Sequence, residues 1–168
     1  MIKRYIGTKI INALPMNRLA YNQFRGWELP ADERGDDEGY LVEYVDGGPA
    51  NTESYAGYVS WSPAAVFDKA YRASSGMTFG LAIEALRMGE RVARVGWNGK
   101  GMFLFLVPGS SFAVNRAPLL GIYSEGTVVE YCPHIDMRTA DDKIVPWLAS
   151  QSDVLGEDWE VVSLGLGE

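Results

Sequence analysis

The sequence predicts an α+β protein in two parts: a small, mostly-β module that ends in a short helix, residues 1–73, and then a small antiparallel β-sheet domain with one N-terminal helix, residues 77–168. Three observations predict this class. Helical periodicity follows residue 77, strand-like alternation recurs on both sides of it, and small flexible residues at 73–76 separate the two parts. A chain of 168 residues that is 47% hydrophobic can form two small packed domains.

The first module is predicted mainly as strands. Three segments have the residue content of strands: 5–14, 39–45 and 55–61. Residues 22–27 are aromatic and polar and residues 32–38 form an acidic loop, and neither stretch is assigned a regular element. Ser62 and Pro63 predict the start of a short helix to about residue 71, because Ser caps helices and Pro suits their first position.

The second domain is predicted to begin with a helix over residues 79–88, which Thr78 caps and Gly89 ends. Four apolar residues share one face of this helix: Phe79, Ala82, Ile83 and Leu86. Five strands are then predicted: 91–95, 102–107, 127–137 with an interruption at Pro133, 143–147 and 159–162. Residues 109–126 are predicted to be a loop.

Charge and composition exclude several classes of function. The net charge of −7 argues against binding duplex nucleic acid, which requires basic surface. Residues 77–116 carry a net +3 and residues 117–168 a net −8, so the middle segment is the better host for an anionic ligand. No apolar run approaches the roughly 20 residues that span a bilayer, and no signal peptide is recognised. Cys132 is the single cysteine, so we expect a cytoplasmic protein without disulfides.

The Gly96-Trp97-Asn98-Gly99 turn is the candidate ligand site. A bulky indole between two glycines could stack on a nucleobase, and the Asn98 amide could bind a base edge or ribose. Arg94, two residues before the turn, could meet a phosphate. The alternative is that Trp97 folds over the protein's own core and that Asn98 makes an ordinary turn hydrogen bond.

Catalytic and metal sites are weakly supported. Cys132, His134 and Asp136 alternate, so a regular strand would place them on one face and suggest a nucleophile with its base. Alternate residues lie about 6.5–7 Å apart, however, which is too far for a direct thiol–imidazole bond unless Pro133 distorts the strand. One histidine and one cysteine do not supply a zinc set, and no phosphate-binding loop occurs. We therefore predict no catalytic residue, metal or cofactor.

The second domain resembles a known family. MTFGLAIEALRMGERVARVGWNGKGMFLFLVPGS, followed by PHIDMRTADDKIVPWLASQSDVLGEDWEVV, is similar to the Thoeris anti-defence 2 proteins of bacteriophages. The similarity covers residues 77–162. The helix, the GWNG turn, the PHIDM strand and the PWLASQSD segment occur in the order expected for this family. The first module resembles a small module of other phage proteins through YIGTKI, GYLVEY and GYVSWSP, with no activity implied.

The resemblance implies a function without catalysis. Family members sequester a cyclic ADP-ribose isomer made by immune enzymes, some also hold cyclic dinucleotides in separate pockets, and they assemble as homo-oligomers, with a tetramer favoured. The resemblance places Trp97 and Asn98 in the pocket. It adds five weaker ligand-binding candidates: Phe103, Asp136, Ser150, Gln151 and Asp153. Two alternatives remain: a structural or host-protein-binding phage protein, and a hydrolase that uses His134 with Cys132 or Asp136.

Overall fold

The computed structural model describes residues 2–5, 7–97 and 99–162. The chain divides into two compact units, Met1–Arg72 and Ala73–Glu168. All paired strands are antiparallel, and helices pack beside them in each unit. The broad α+β class predicted from the sequence is therefore confirmed.

The first unit is built on a three-stranded sheet in the order β1-β2-β3. Its elements along the chain are β1 (Asn12–Pro15), α1 (Arg18–Arg25), β2 (Gly39–Tyr44), β3 (Tyr58–Pro63) and α2 (Ala64–Ala70). One face of the sheet presents Leu41 and Val59 to Tyr21 of α1, and these three residues form the buried core. On the other face, the ring of Phe67 from α2 stacks on Tyr40 with centroids 4.0 Å apart.

Helix α1 corrects the sequence prediction, which left residues 22–27 unassigned and extended a strand over residues 5–14. The strand occupies only Asn12–Pro15. The helix begins after Asn17, whose side chain accepts a hydrogen bond from the Ala20 amide, and it ends at Gly26 with φ of 68°. The predicted Ser62 cap is also wrong: α2 begins after Pro63 and has no side-chain cap.

The second unit contains a five-stranded sheet in the order β10-β4-β5-β8-β9 and a separate two-stranded sheet, β6-β7. Its elements along the chain are α3 (Phe79–Arg87), β4 (Val92–Arg94), β5 (Phe103–Val107), β6 (Ser110–Ala113), β7 (Val128–Tyr131), β8 (His134–Arg138), β9 (Ile144–Pro146), α4 (Gln151–Val154) and β10 (Trp159–Val161). Helix α3 packs on β10, β4 and β5, so the core lies between this helix and one face of the sheet.

The predicted helix with its Thr78 cap is confirmed, since the Thr78 hydroxyl accepts from the Leu81 amide. Buried Ala82 and Leu86 pack on Val92 and Leu104 of the sheet. This packing explains the apolar spacing seen in the sequence.

Three details of the second unit differ from the prediction. The loop predicted for residues 109–126 contains strand β6. The strand predicted for residues 127–137 is two strands in different sheets, because the chain leaves one at Cys132 and Pro133 and enters the other at His134. The one-turn helix α4 was not predicted. Among the described residues, no helix is long and apolar enough to cross a membrane.

Candidate functional site

The indole of Trp97 belongs to an aromatic cluster centred on Trp159. Trp159 is 0% exposed, and three rings surround it with centroid distances of 5.4 to 6.1 Å: Phe79, Trp97 and Trp147. Trp97 meets Trp159 nearly perpendicularly and is itself only partly buried. Trp97 therefore packs on the core, as the alternative predicted, and the residue also keeps part of its surface exposed.

The backbone before Trp97 is held by Asp158, the residue that directly precedes β10. The Val95 amide donates to the Asp158 carbonyl at 3.1 Å, and the Gly96 amide donates to the Asp158 Oδ2 atom at 3.1 Å. The Trp97 amide donates to the Arg94 carbonyl at 3.2 Å. All three amides that lead into the turn are thus hydrogen-bonded within the chain. These bonds hold the backbone that carries the indole.

The Arg94 guanidinium is engaged on several sides. Its Nε donates to the Asp158 Oδ1 atom at 2.7 Å, and its Nη2 lies 2.6 Å from the same oxygen. Its Nη1 donates to the Ser152 carbonyl at 2.8 Å and lies 3.2 Å from the Asp153 carboxylate. The side chain is 18% exposed, and the hydrogen bond to Asp158 is the main reason that the pKa of Arg94 lies above its ordinary value.

Ser150 and Asp153 form a reciprocal cap of α4. The Asp153 amide donates to the Ser150 hydroxyl at 3.2 Å, and the Ser150 amide donates to the Asp153 carboxylate at 2.9 Å. Burial disfavours the charged form of Asp153, but hydrogen bonds from Ser150 and Arg94 outweigh this and lower its pKa. The Asp153 carbonyl accepts a hydrogen bond from the Trp159 indole at 2.9 Å. Gln151, on the same helical turn, is exposed.

The far side of the glycine-flanked turn is held by Arg138 of β8. Its Nη1 donates to the Gly101 carbonyl at 2.8 Å, and its Nε donates to Asp142 at 2.7 Å. A Cβ on Gly99 would lie 2.8 Å from the Ala140 side chain, so that position admits only glycine without rearrangement. Asn98 lies outside the described residues.

Phe103 lies on the sheet face opposite the core. Its strand neighbour Leu104 packs under α3, and side chains alternate along a strand. Phe103 is 8% exposed, and the guanidiniums of Arg91 and Arg138 lie over its ring at 5.8 and 5.7 Å. These two arginines already lie where a ligand would have to stack on the Phe103 ring.

Asp136 shares that opposite face, since Ile135 and Met137 beside it pack on the core. Its Oδ1 atom is buried without a hydrogen-bond partner among the described residues, and the His134 Nε2 atom lies 3.6 Å away. Of the eight candidates, the structure thus gathers Trp97, Arg94 and Asp153 around Asp158 and Trp159, and it places Phe103 and Asp136 elsewhere. Ser150 and Gln151 stand at the start of α4, the helix that contains Asp153.

The geometry of Cys132 and His134 departs from the premise of a nucleophile pair. Cys132 precedes β8, so the two residues do not alternate along one regular strand. The His134 Nδ1 atom lies 3.1 Å from the Cys132 carbonyl oxygen, which directs the imidazole to the backbone. Within the described ranges, no three His, Cys, Asp or Glu residues are grouped as a metal site.

Comparison with known proteins identifies the second unit. A family model described as a Thoeris anti-defense 2-like domain matches residues 77–162. The chain belongs to the Thoeris anti-defense 2-like family. A relative named "Thoeris anti-defense 2", from Bacillus phage SP01, is 46% identical over 87 residues, which is 52% of this chain and 96% of the relative. The resemblance predicted from the sequence is confirmed, and with it a coarse role in phage anti-defence.

The Thoeris anti-defense 2-like region contains three residues of the Trp159 cluster and its supports that the sequence did not single out: Trp147, Asp158 and Trp159. A partly buried arginine such as Arg94 requires an acidic partner, and this requirement was the signal that could have pointed to Asp158. It did not identify the partner, because residues 117–168 alone contain ten acidic residues. Only the pairing of β10 with β4, which sets Trp159 opposite Arg94, brings Asp158 to the guanidinium.

Proposed function

We propose that this chain is a phage anti-defence protein that binds and sequesters a cyclic ADP-ribose-type immune signal without cleaving it. One observation carries the proposal: Trp97 is partly exposed, stands in a turn that is hydrogen-bonded at both ends, and packs edge to face on buried Trp159. Base stacking on such a ring contributes about 1–3 kcal/mol. Because the ring is already fixed, little freedom is lost on binding.

Polar groups on α4 and in the turn suit a nucleotide ligand. Gln151 is exposed on α4 and offers an amide to a ribose or base edge, and Lys100 is exposed in the same turn as Trp97. We assign Asn98 to the same role from its place in the turn. Ser150 and Asp153 shape the α4 side of the site, whereas Phe103 and Asp136, on the opposite face of the sheet, lie outside it.

The ionisable groups beside Trp97 favour capture over chemistry. Arg94, Asp153 and Asp158 are paired with one another, and the pKa values of both carboxyl groups lie below their ordinary range. A general acid or base works best with a pKa near the working pH. Groups that are fixed in their charged forms by one another are poorly suited to transferring protons to or from a ligand.

We further propose that the protein acts as a homo-oligomer, with a tetramer favoured, in the cytoplasm of the infected cell. Leu148 and Leu155 flank α4 and are 91% and 76% exposed, and Ile144 and Val145 of the edge strand β9 are exposed as well. Exposed aliphatic side chains of this kind, two of them beside α4, are suited to burial by a second copy of the chain. The ligand would then lie between subunits.

The test is retention of intact ligand. Wild-type protein is incubated with cyclic ADP-ribose isomers and cyclic dinucleotides, washed on a filter and heated, and the released molecules are identified by mass spectrometry. We expect one isomer to be released unchanged, and retention to fall at least tenfold in Trp97→Ala. Trp27→Ala is the matched control, because Trp27 is 53% exposed and lies in the first unit.

Three results would contradict the proposal. Retention of no member of the panel would remove ligand binding and would favour a structural or host-binding protein. Release of cleaved products that disappear in His134→Ala would favour the hydrolase. Equal losses of retention in Trp97→Ala and Trp27→Ala would remove Trp97 as the ligand contact.

A further inference from the structure

We propose that Arg94 and Asp158 are positioning residues that join the two halves of the Trp97 site and do not themselves contact the ligand. The two halves are the chain entering the turn, residues 95–97, and helix α4. This inference rests on the proposed function for its ligand but makes a separate claim about the unliganded protein.

The first step is the reach of the Arg94 side chain. It extends from β4, which is joined directly to the turn, and contacts the Ser152 carbonyl and the Asp153 carboxylate of α4 at 2.8 and 3.2 Å. Its remaining donors meet Asp158 at 2.6–2.7 Å. A single guanidinium thus connects α4, the start of β10 and the strand before the turn.

The second step is the use of both oxygens of Asp158. Its Oδ1 atom accepts from Arg94, and its Oδ2 atom accepts from the Gly96 amide at 3.1 Å. The next residue, Trp159, carries the ring on which Trp97 rests, and its indole donates to the Asp153 carbonyl. Two neighbouring residues therefore fix both the backbone and the ring of Trp97, provided that Arg94 holds Asp158 in place.

The third step is the lack of room for a phosphate at the guanidinium. A Cβ at Gly156 would lie 2.9 Å from the Arg94 Cζ atom and 3.0 Å from its Nε and Nη2 atoms. The backbone at residue 156 therefore runs directly against this part of the group. With Asp158 also bound to the Nε and Nη2 atoms and Asp153 bound to the Nη1 atom, Arg94 is neutralised by acidic groups of the chain before any anion arrives.

The experiment compares Arg94→Met, Arg94→Lys and Asp158→Asn with Arg87→Met as the control. Arg87 makes an exposed ion pair with Glu84 on α3, away from these contacts. Affinity for the cyclic ADP-ribose isomer that the wild type retains is measured by calorimetry at 50 and 200 mM salt. Hydrogen exchange at the amides of residues 95–97 is measured without ligand, and the melting temperature reports folding.

A positioning role predicts a particular combination of results. Arg94→Met and Asp158→Asn should each weaken binding tenfold or more and speed exchange at residues 95–97 at least tenfold. The double variant should be little worse than either single one, and the salt dependence should match the wild type. Arg94→Lys should also lose affinity, since a lysine cannot reproduce the forked contacts. Arg87→Met should change none of these values.

A direct phosphate contact gives a different combination. Weaker binding in Arg94→Met with unchanged exchange and a reduced salt dependence would overturn the inference, and so would unchanged affinity. If the wild type retains no nucleotide, the proposed function fails, and the exchange data still decide whether Arg94 holds the turn. Should Arg94→Met fail to fold, Arg94→Lys and Asp158→Asn carry the same comparison.

Discussion

The indole of Trp97 meets the indole of Trp159 edge to face, with centroids 5.6 Å apart and an interplanar angle of 77°. This arrangement sets the positive edge of one ring against the negative face of the other, a geometry that aromatic pairs prefer. Trp159 is fully buried and bonded through its indole to the Asp153 carbonyl. Trp97 thus packs against the largest fully buried side chain among the described residues.

Trp159→Phe should destabilise the second unit by about 1–3 kcal/mol, because it leaves a cavity and an unpaired Asp153 carbonyl. Urea unfolding followed by near-ultraviolet circular dichroism measures the change. Trp27→Phe, at a 53% exposed site, should shift the same transition by less than about 0.5 kcal/mol. Equal effects of the two variants would show that Trp159 is not the centre of the packing.

Ser150→Ala should cost about 1 kcal/mol, because it removes the hydroxyl that accepts from the Asp153 amide at the start of α4. Ser150→Thr keeps the hydroxyl and should retain most of the stability. Thermal unfolding of both variants is the measurement. If the alanine variant melts like the wild type, the cap contributes nothing and Ser150 is better explained as a ligand contact.

The sequence predicted the elements whose signals are local. Helix α3 has a periodic apolar face and a capping residue, Thr78, within ten residues of each other. Helix α1 was missed because its inward face carries Asn22, which is 2% exposed, where an apolar residue would have completed the pattern. Helix α4 has only four residues, too few for any periodicity.

The candidate site was predictable only in part. Trp97 could be selected because glycines flank it, a feature confined to four consecutive residues. The ion pair of Arg94 could not be predicted, because its partner Asp158 lies 64 residues away along the chain. Contacts of that kind depend on the strand order, which the alternation of side chains does not determine.

The second unit should lose stability in acid. Burial disfavours the charged form of Asp158, but hydrogen bonds from Arg94 and the Gly96 amide outweigh this, so its pKa lies below the ordinary value. A carboxyl group with a lowered pKa stabilises the fold at pH values above the pKa of an unfolded aspartate, about 3.9. This stabilisation is lost as the pH falls through the pKa of the folded state. The unfolding free energy should be nearly flat from about pH 7 to 5 and decline below about pH 4.

The control for this pH dependence is a pair of variants measured by urea unfolding from pH 7 to 3. Asp158→Asn should flatten part of the acid decline, because the neutral amide does not titrate. Glu125→Gln, at an exposed position of the same unit, should leave the decline unchanged. An identical acid profile in Asp158→Asn and the wild type would contradict the prediction.

Gly39→Ala should destabilise the first unit by about 1–3 kcal/mol through overpacking. A Cβ at Gly39 would lie 2.5 Å from the Ser62 carbonyl oxygen and 2.5 Å from the ring of Trp61. That ring cannot turn away freely, since its indole donates to the Met16 carbonyl at 2.8 Å. Hydrogen exchange at the amides of β2 measures the loss. Gly7→Ala should leave exchange unchanged, because no atom of the described residues lies within 4 Å of the new methyl group. Equal protection in both variants would refute the steric argument.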